Sequence, residues 1–439
     1  MTAATVARPS LRRNVSWTFG GNIAYAGSFW LMWVLLARVG NNTVVGQFAL
    51  GYAIATPVYA ITNLSLRTIQ ATDAPGSPYS LAHYLGLRVA STLLGLLGIC
   101  VAAVVADLTP GAVAVVVVIG LAKAFESVSD ALFGFLQRQE QMDRIARSMV
   151  IKGGATLLAV IGLLVVFDSA VAAAAGLAAV WASTLLVYDA PNAIRHLPQG
   201  SGVEAVSRSW RGATVGVIRP VFEGPAFRAL VRLGFPLGLV LLVSTLSVNV
   251  PRYLIGGRLG IDELGVFTAI STLIFAGDLV VSSLSQAVMP RLASYAAAGQ
   301  DEAFRGLAFR LIGAFAALGV VATVAAYVAG PLVLRLIYGE EYVRYAGVFT
   351  VMIGVSGFVD LAGFLSVVIA AQRRFWAPFP INLLKLTIVA VGTFLVVEPY
   401  RLEGVAWVLL GSQALAALLL GAIAFRRAAR GDESRVLPA

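Results

Sequence analysis

Twelve apolar stretches of span length, joined by short loops, are the feature that most restricts what this chain can fold into. A helix crossing a hydrocarbon layer roughly 30 Å thick needs about 20 mostly apolar residues. Runs of that size recur at 15–37, 44–66, 83–106, 111–136, 149–167, 169–189, 233–255, 264–287, 306–328, 343–371, 378–397 and 404–425. They are too long for the strands of a membrane barrel and lack the polar alternation such strands carry. Backbone groups in lipid must pair within their own segment, so helices remain. A soluble core is excluded as well, because 59% apolar against 12% charged residues over a 439-residue chain would leave far too much hydrocarbon facing water. The chain reads as an all-α polytopic membrane protein with twelve transmembrane helices.

Charge sets the expected orientation. With the N-terminus inside, 24 of the 32 Lys and Arg residues fall on the inner side, six on the outer side and two within spans. Arg12, Arg13, Arg138, Arg144, Arg208, Arg211, Arg373, Arg374, Arg426 and Arg427 are inner; Arg38, Arg252, Arg258, Arg335, Arg344 and Arg401 are outer. Both termini are therefore expected in the cytoplasm, and the protein in the cell membrane. The net charge of +10 does not indicate nucleic acid, since the cations lie at span ends and not in one solvated domain. The first span follows Arg12 and Arg13 and has no small-residue cleavage site, so it reads as a retained helix. One cysteine, Cys100, excludes a disulfide scaffold and a thiolate metal site, and no cofactor is indicated.

The longest loop, 190–232, splits the spans six and six, giving an N-terminal lobe at 1–189 and a C-terminal lobe at 233–439. Its arginines, Arg208, Arg211, Arg219, Arg228 and Arg232, alternate with Trp210, Val217, Val221, Phe222 and Phe227. That pattern suits either contact with the anionic inner leaflet or a plain basic linker. The halves echo one another. Arg38, Val39, Gly40 followed by Gly46, Gln47, Phe48 matches Arg258, Leu259, Gly260 followed by Gly265, Val266, Phe267; Gln137 and Arg138 match Gln372 and Arg373. Six helices per half keep their orientation, so a duplication would be parallel, about an axis along the membrane normal.

On these residues the chain resembles a known family. The first hairpin, Trp17 to Arg67, with its Gly40, Gly46 and Phe48 turn and Pro57, is similar to the polysaccharide transporters of the O-antigen flippase type; so is the stretch Tyr253 to Gly299, which contains RLGIDELGVFTAISTL. The resemblance implies a V-shaped pair of six-helix lobes of the multidrug exporter (MATE-like) kind. It also implies alternating access, and a polyprenyl-(pyro)phosphate-linked oligosaccharide as cargo, moved from the cytoplasmic to the outer leaflet for surface glycan synthesis. A glycan polymerase or glycosyltransferases would be its neighbours. Twelve helices fit the O-antigen type better than the fourteen usual in lipid II flippases.

The chemistry agrees with that cargo. An anionic sugar headgroup sheds hydration in hydrocarbon at high cost, which polar and cationic residues in the spans would relieve. The first and seventh spans offer Asn22, Tyr25, Arg38, Asn249 and Arg252, and the second adds Arg67. The resemblance makes these six the expected headgroup contacts, with snorkelling to the interface as the alternative for each arginine. Lys123, Glu126 and Asp130 share one face of the fourth span, and Asp278, Asp360 and Lys385 lie deep in theirs. These six are the candidates for ion coupling or, alternatively, for structural ion pairs.

Two other classes would leave different marks on the sequence. A multidrug exporter on the same scaffold would take cations and favour an acidic cavity. An integral membrane glycosyltransferase or polymerase would need carboxylates or metal ligands on a sizeable aqueous loop. The outer loops are a handful of residues, and His83 and His196 have no metal-ligand spacing, so the reading is a transporter and not an enzyme.

Overall fold

A computed structural model describes residues 11–425, except 72, 74–76, 107, 198–204, 211–212, 274, 373 and 375. Residues 11, 12, 15, 205–210, 213–216, 275–280, 282, 283, 286, 287 and 290 are described by backbone alone. Both termini, Arg373, Arg426, Arg427 and the side chains of Arg12, Arg208, Trp210, Arg211 and Asp278 thus lie outside what is described.

The architecture is nearly all helical. The helices are α1 (Leu11–Val39), α2 (Asn42–Thr62), α3 (Leu66–Ala71), α4 (Leu81–Val105), α5 (Pro110–Arg138), α6 (Met142–Phe167) and α7 (Ala170–Thr184); a π-turn (Leu185–Asp189) leads into α8 (Ala190–Arg195). After strands β1 (Ala205–Trp210) and β2 (Ala213–Ile218) come α9 (Gly224–Arg258), α10 (Ile261–Thr272), α11 (Phe275–Ala297), α12 (Asp301–Ile337), α13 (Ala346–Ala371) and α14 (Pro378–Phe425). Among the described residues, ten helices are long and apolar enough to cross a membrane. α14 spans 48 residues, about 72 Å of helix at 1.5 Å per residue, more than twice the thickness of a hydrocarbon layer. It is in fact two helices, 378–400 and 402–425, meeting at Arg401 (φ 48, ψ −141) just after Pro399. The region read as the eighth span is interrupted between α10 and α11.

The helices outrun the apolar windows at several ends. α6 starts at Met142 where the apolar run starts at 149, α9 at Gly224 where it starts at 233, and α12 at Asp301 where it starts at 306. Polar first turns explain the difference at α6 (Asp143, Arg144) and α12 (Asp301, Glu302), where acids suit the helix dipole, while α9 starts on Pro225, which fits a first helical turn. Local signals place several starts: the side chain of Asn41 accepts from the Val44 amide at 2.9 Å, Ser169 accepts from Ala172, and Thr109 precedes Pro110 at the first turn of α5.

The 190–232 segment is more than a linker. It carries α8 and two antiparallel strands, with Trp210 paired to Ala213 and Ala205 to Ile218. The chain divides into two compact units, 1–272 and 273–439. The first unit ends beyond this segment because α9 and α10 both pack along α2.

In the first unit α2 is the central helix, enclosed by α4, α5, α9 and α10. Tyr59 on α2 donates to the Gly120 carbonyl on α5 at 3.1 Å, and Tyr253 on α9 donates to the Ala53 carbonyl on α2. At the α2–α10 crossing the backbones nearly touch. A Cβ on Gly46 would lie 2.0 Å from the Ile261 carbonyl oxygen, and a Cβ on Gly265 would lie 2.0 Å from that of Asn42. Thr43 donates to Asp262 at 2.5 Å beside the same crossing. In the second unit Phe315, Phe364, Leu292 and Leu420 form the core. There Gln372 donates to the Ala424 carbonyl at 2.8 Å and Arg374 to that of Ile423 at 2.9 Å, capping the last turn of α14.

Candidate polar sites within the membrane helices

Four polar groupings lie among the apolar helices of the first unit. In the first, Asp130 of α5 takes two arginines: Arg67 of α3 at 3.2 Å and Arg88 of α4 at 3.4 Å. Arg67 also donates from Nε to Gln137 at 3.2 Å and lies over the Phe133 ring at 5.5 Å. Arg88 is fully buried and donates to Ser127, which also accepts from Thr92 and itself donates to Asn63. The break that brings Arg67 here is local. Leu64 and Ser65 both hold left-handed backbone (φ 52 and 48), which ends α2 and redirects the chain into α3. Such conformations cost about 1–3 kcal/mol each, so the surrounding packing must hold them.

In the second grouping Lys123 pairs with Glu126 on α5, and Tyr25 of α1 donates to Glu126 at 3.3 Å. An aromatic cluster of Phe29, Trp33, Tyr52 and Trp181 adjoins it, with the Lys123 ammonium 5.7 Å from the centre of the Trp181 ring. Lys123, Glu126 and Asp130 do share a face of α5, but they serve different neighbours: α1 and α7 for the first two, α3 and α4 for the third.

The third grouping was not legible in the sequence. Lys152 of α6 and Asp189 of the π-turn meet at 2.8 Å, both almost wholly enclosed. Ser129 and Ser148 donate to the same carboxylate at 2.7 and 2.5 Å, and the Lys152 ammonium lies 4.9 Å from the Phe133 ring centre. A π-turn widens the helix by one residue per turn. Here it ends at Asp189, the residue that takes three donors.

The fourth grouping is on α9. Asn249, 3% exposed, donates to the Thr245 carbonyl at 2.8 Å and accepts from Arg252 at 3.0 Å. The Nε of Arg252 is enclosed with no hydrogen-bond partner, and the residue has no ion pair among the described residues.

The remaining candidates are dispersed. Asn22 is exposed on α1 and Arg38 is exposed at its end. Asp360 on α13 and Lys385 on α14 are half-buried in the second unit, and Lys385 has no ion-pair partner among the described residues. The backbone of α11 carries Asp278, whose side chain is outside the described part. No group of three or more His, Cys, Asp or Glu capable of holding a metal occurs among the described residues.

With this geometry in place, the chain can be set beside known proteins. The capsular polysaccharide biosynthesis protein CapF of Staphylococcus aureus is 22% identical over 407 residues, which is 92% of this chain and 96% of that protein. The solved structure of the lipid II flippase MurJ in an inward closed conformation matches with a TM-score of 0.70 at 11% identity, covering 93% of this chain and 86% of MurJ. An inward-facing multidrug resistance MATE family transporter of the MOP superfamily matches with a TM-score of 0.64 at 12% identity, covering 96% and 95%. At those identities the structures speak to fold, and the fold is the MATE-like one that the family resemblance implied. The family model described as polysaccharide biosynthesis protein covers residues 35–347, the larger part of the chain. This multi-pass membrane protein therefore belongs to the polysaccharide biosynthesis protein family.

Proposed function

We propose that the protein is a flippase that moves a polyprenyl-(pyro)phosphate-linked oligosaccharide across the cell membrane by alternating access. In this reading twelve crossings form two six-helix halves, 1–189 and 233–439, joined by 190–232, with both termini inside. Family membership supports a role in polysaccharide assembly, and the relatives named above supply the analogy. One observation carries the choice of an anionic cargo. Among the described polar groups inside the first unit, cations exceed acids: Asp130 takes both Arg67 and Arg88, the Lys123–Glu126 and Lys152–Asp189 pairs are neutral, and Arg252 has no carboxylate beside it.

A lone buried cation is expensive at membrane depth, about 2.5–3.5 kcal/mol even on lenient scales. A phosphate that arrives with the cargo would supply the missing negative charge, in the bidentate geometry that guanidinium favours. Arg252 and Asn249 are therefore the first headgroup contacts in this proposal, with Arg38, Asn22 and the exposed edge of Arg67 as secondary ones. Tyr25 is already engaged by Glu126 and ranks last. The exporter reading loses support from the same inventory, because Glu126 and Asp130 already have cationic partners.

The test is translocation of a fluorescent polyprenyl-pyrophosphate oligosaccharide in proteoliposomes. Replacing Arg252 by Gln is expected to lower the rate roughly ten- to a hundredfold, the size of a lost charge-assisted hydrogen bond of about 1.5–3 kcal/mol, while Arg252→Lys retains part of it. Unchanged transport in Arg252→Gln, or transport of lipophilic cations in place of the glycolipid, overturns the reading. Ion coupling is proposed to rest on Asp278, in the first turn of α11. Asp278→Asn is expected to flip the cargo at a rate indifferent to imposed proton and sodium gradients, whereas the parent responds to one of them. A parent indifferent to both removes the coupling proposal and leaves the flippase one standing.

A further inference from the structure

A crevice of about 210 Å³ opens in the first unit between α4, α5, the π-turn and the end of β2. Val128 and Leu132 of α5 form its floor, Leu186 of the π-turn one side, and Val217, Ile218 and Pro220 its roof. Its lining side chains are all apolar. A cavity of about 150 Å³ lined this way stays dry and takes up hydrocarbon, so this one offers water nothing and an alkyl chain a good fit.

The roof is held in place. The Val221 amide donates to the Ala82 carbonyl of α4 at 3.0 Å, and His83 meets Glu223 at 2.9 Å. The absence of a side chain at Gly86 lets the segment lie against α4, since a Cβ there would sit 1.9 Å from the Val221 carbonyl oxygen. Around the mouth the exposed surface mixes two kinds of residue. Val217, Val221, Phe222 and Leu186 are large, apolar and 40–61% exposed, and Arg219, between two roof residues, is exposed beside them. Apolar side chains that reach outward beside an exposed guanidinium are the pattern of a membrane interface, where hydrocarbon and anionic headgroups meet.

We propose that the crevice binds one acyl chain of an anionic bilayer phospholipid, whose headgroup lies at Arg219. Phospholipid is the occupant favoured over the cargo's own tail because bilayer lipid is present at far higher concentration, and because the crevice has room for only a short length of chain. The hairpin segment then acts as a clasp between protein and leaflet. This assignment does not depend on what the protein transports.

Native mass spectrometry of the full-length protein, titrated in detergent with phosphatidylglycerol, phosphatidylcholine or undecaprenyl phosphate, tests it. One phosphatidylglycerol is expected to stay bound in preference to phosphatidylcholine. Arg219→Gln is expected to reduce that preference roughly fivefold, the size of one arginine's attraction to an anionic surface. Leu186→Trp, placed at a lip where added bulk is tolerated, is expected to displace the chain while leaving thermal stability unchanged. Equal retention of the two phospholipids, persistence of the bound lipid in Leu186→Trp, or preference for undecaprenyl phosphate would each overturn the proposal.

Discussion

Gly265→Leu should stop transport while the protein still inserts in the membrane. The α2–α10 crossing has no room for a side chain: a Cβ at Gly265 would sit 2.0 Å from the Asn42 carbonyl oxygen, and one at Gly46 would sit 2.0 Å from that of Ile261. Carbon cannot approach oxygen so closely, so the helices must move apart by more than 1 Å or tilt. Asn42 precedes Gly46 by four residues, as Ile261 precedes Gly265, so each helix offers its glycine to the other's preceding turn. The contact is reciprocal, and Thr43–Asp262 closes it with a hydrogen bond. The charge rule leads us to expect these ends on the outer side, and with that orientation this is where an outer gate would shut. Overpacking of about 1–3 kcal/mol would shift a closed–open balance by roughly 5–150-fold. The expected results are surface polysaccharide reduced to a few per cent in Gly265→Leu, the same in Gly46→Leu, and a milder loss in either alanine variant. Gly257→Leu, where nothing stands within 4 Å, serves as the control and should transport normally. Near-parental export by Gly265→Leu with full surface expression would sink the gate.

The same crossing shows how much of the molecule was readable beforehand. Apolar runs of span length marked most of the helices, because lipid leaves the backbone no alternative, though the run 264–287 hid the break between α10 and α11. The echo of Gly46 and Phe48 in Gly265 and Phe267 was visible as a pattern, yet nothing in it told that the two glycines face each other; that depends on how α2 and α10 cross. The site was harder. Lys123 and Glu126 lie far from either end of their apolar run and Asp130 shares their face, whereas Arg88 and Lys152 lie close to the starts of theirs, where a cation suits the interface equally well. Both are enclosed by protein, since α4 and α6 run on beyond their apolar windows. Asp189 was hidden in the same way at the end of the sixth run. Serines at 129 and 148 were a possible signal, because their hydroxyls have no reason to lie inside an apolar bundle unless something accepts from them. The hairpin of 205–218 left no trace beyond its valines, and the charge pattern that suggested an interface said nothing of strands.

The largest loss of stability should follow from Asp189→Ala. Asp189 gathers Lys152, Ser129 and Ser148 in a site where the carboxylate is wholly enclosed by protein. Removing the carboxylate leaves an ammonium buried against Phe133 and strips two hydroxyls of their acceptor. Breaking a buried pair on one side costs about 3–5 kcal/mol, far more than the pair contributes relative to a hydrocarbon substitute. Two features bear on where that cost appears. The carboxylate joins α5, α6 and the π-turn, and the turn leads on to α8 and to the segment whose Val217, Ile218 and Pro220 line the apolar crevice. Loss of the acid should therefore loosen this end of the first unit as a whole. Thermal unfolding of the purified protein, followed by tryptophan fluorescence, is expected to show a markedly lowered midpoint for Asp189→Ala and for Lys152→Ala. The double variant Lys152→Met with Asp189→Leu should recover most of the loss, because it removes the stranded charge and refills the volume. If the double variant transports cargo at the parental rate, the pair is a structural fastening. If it is stable but inactive, the buried charges also govern the motion between states, and the π-turn becomes the element to follow during the cycle.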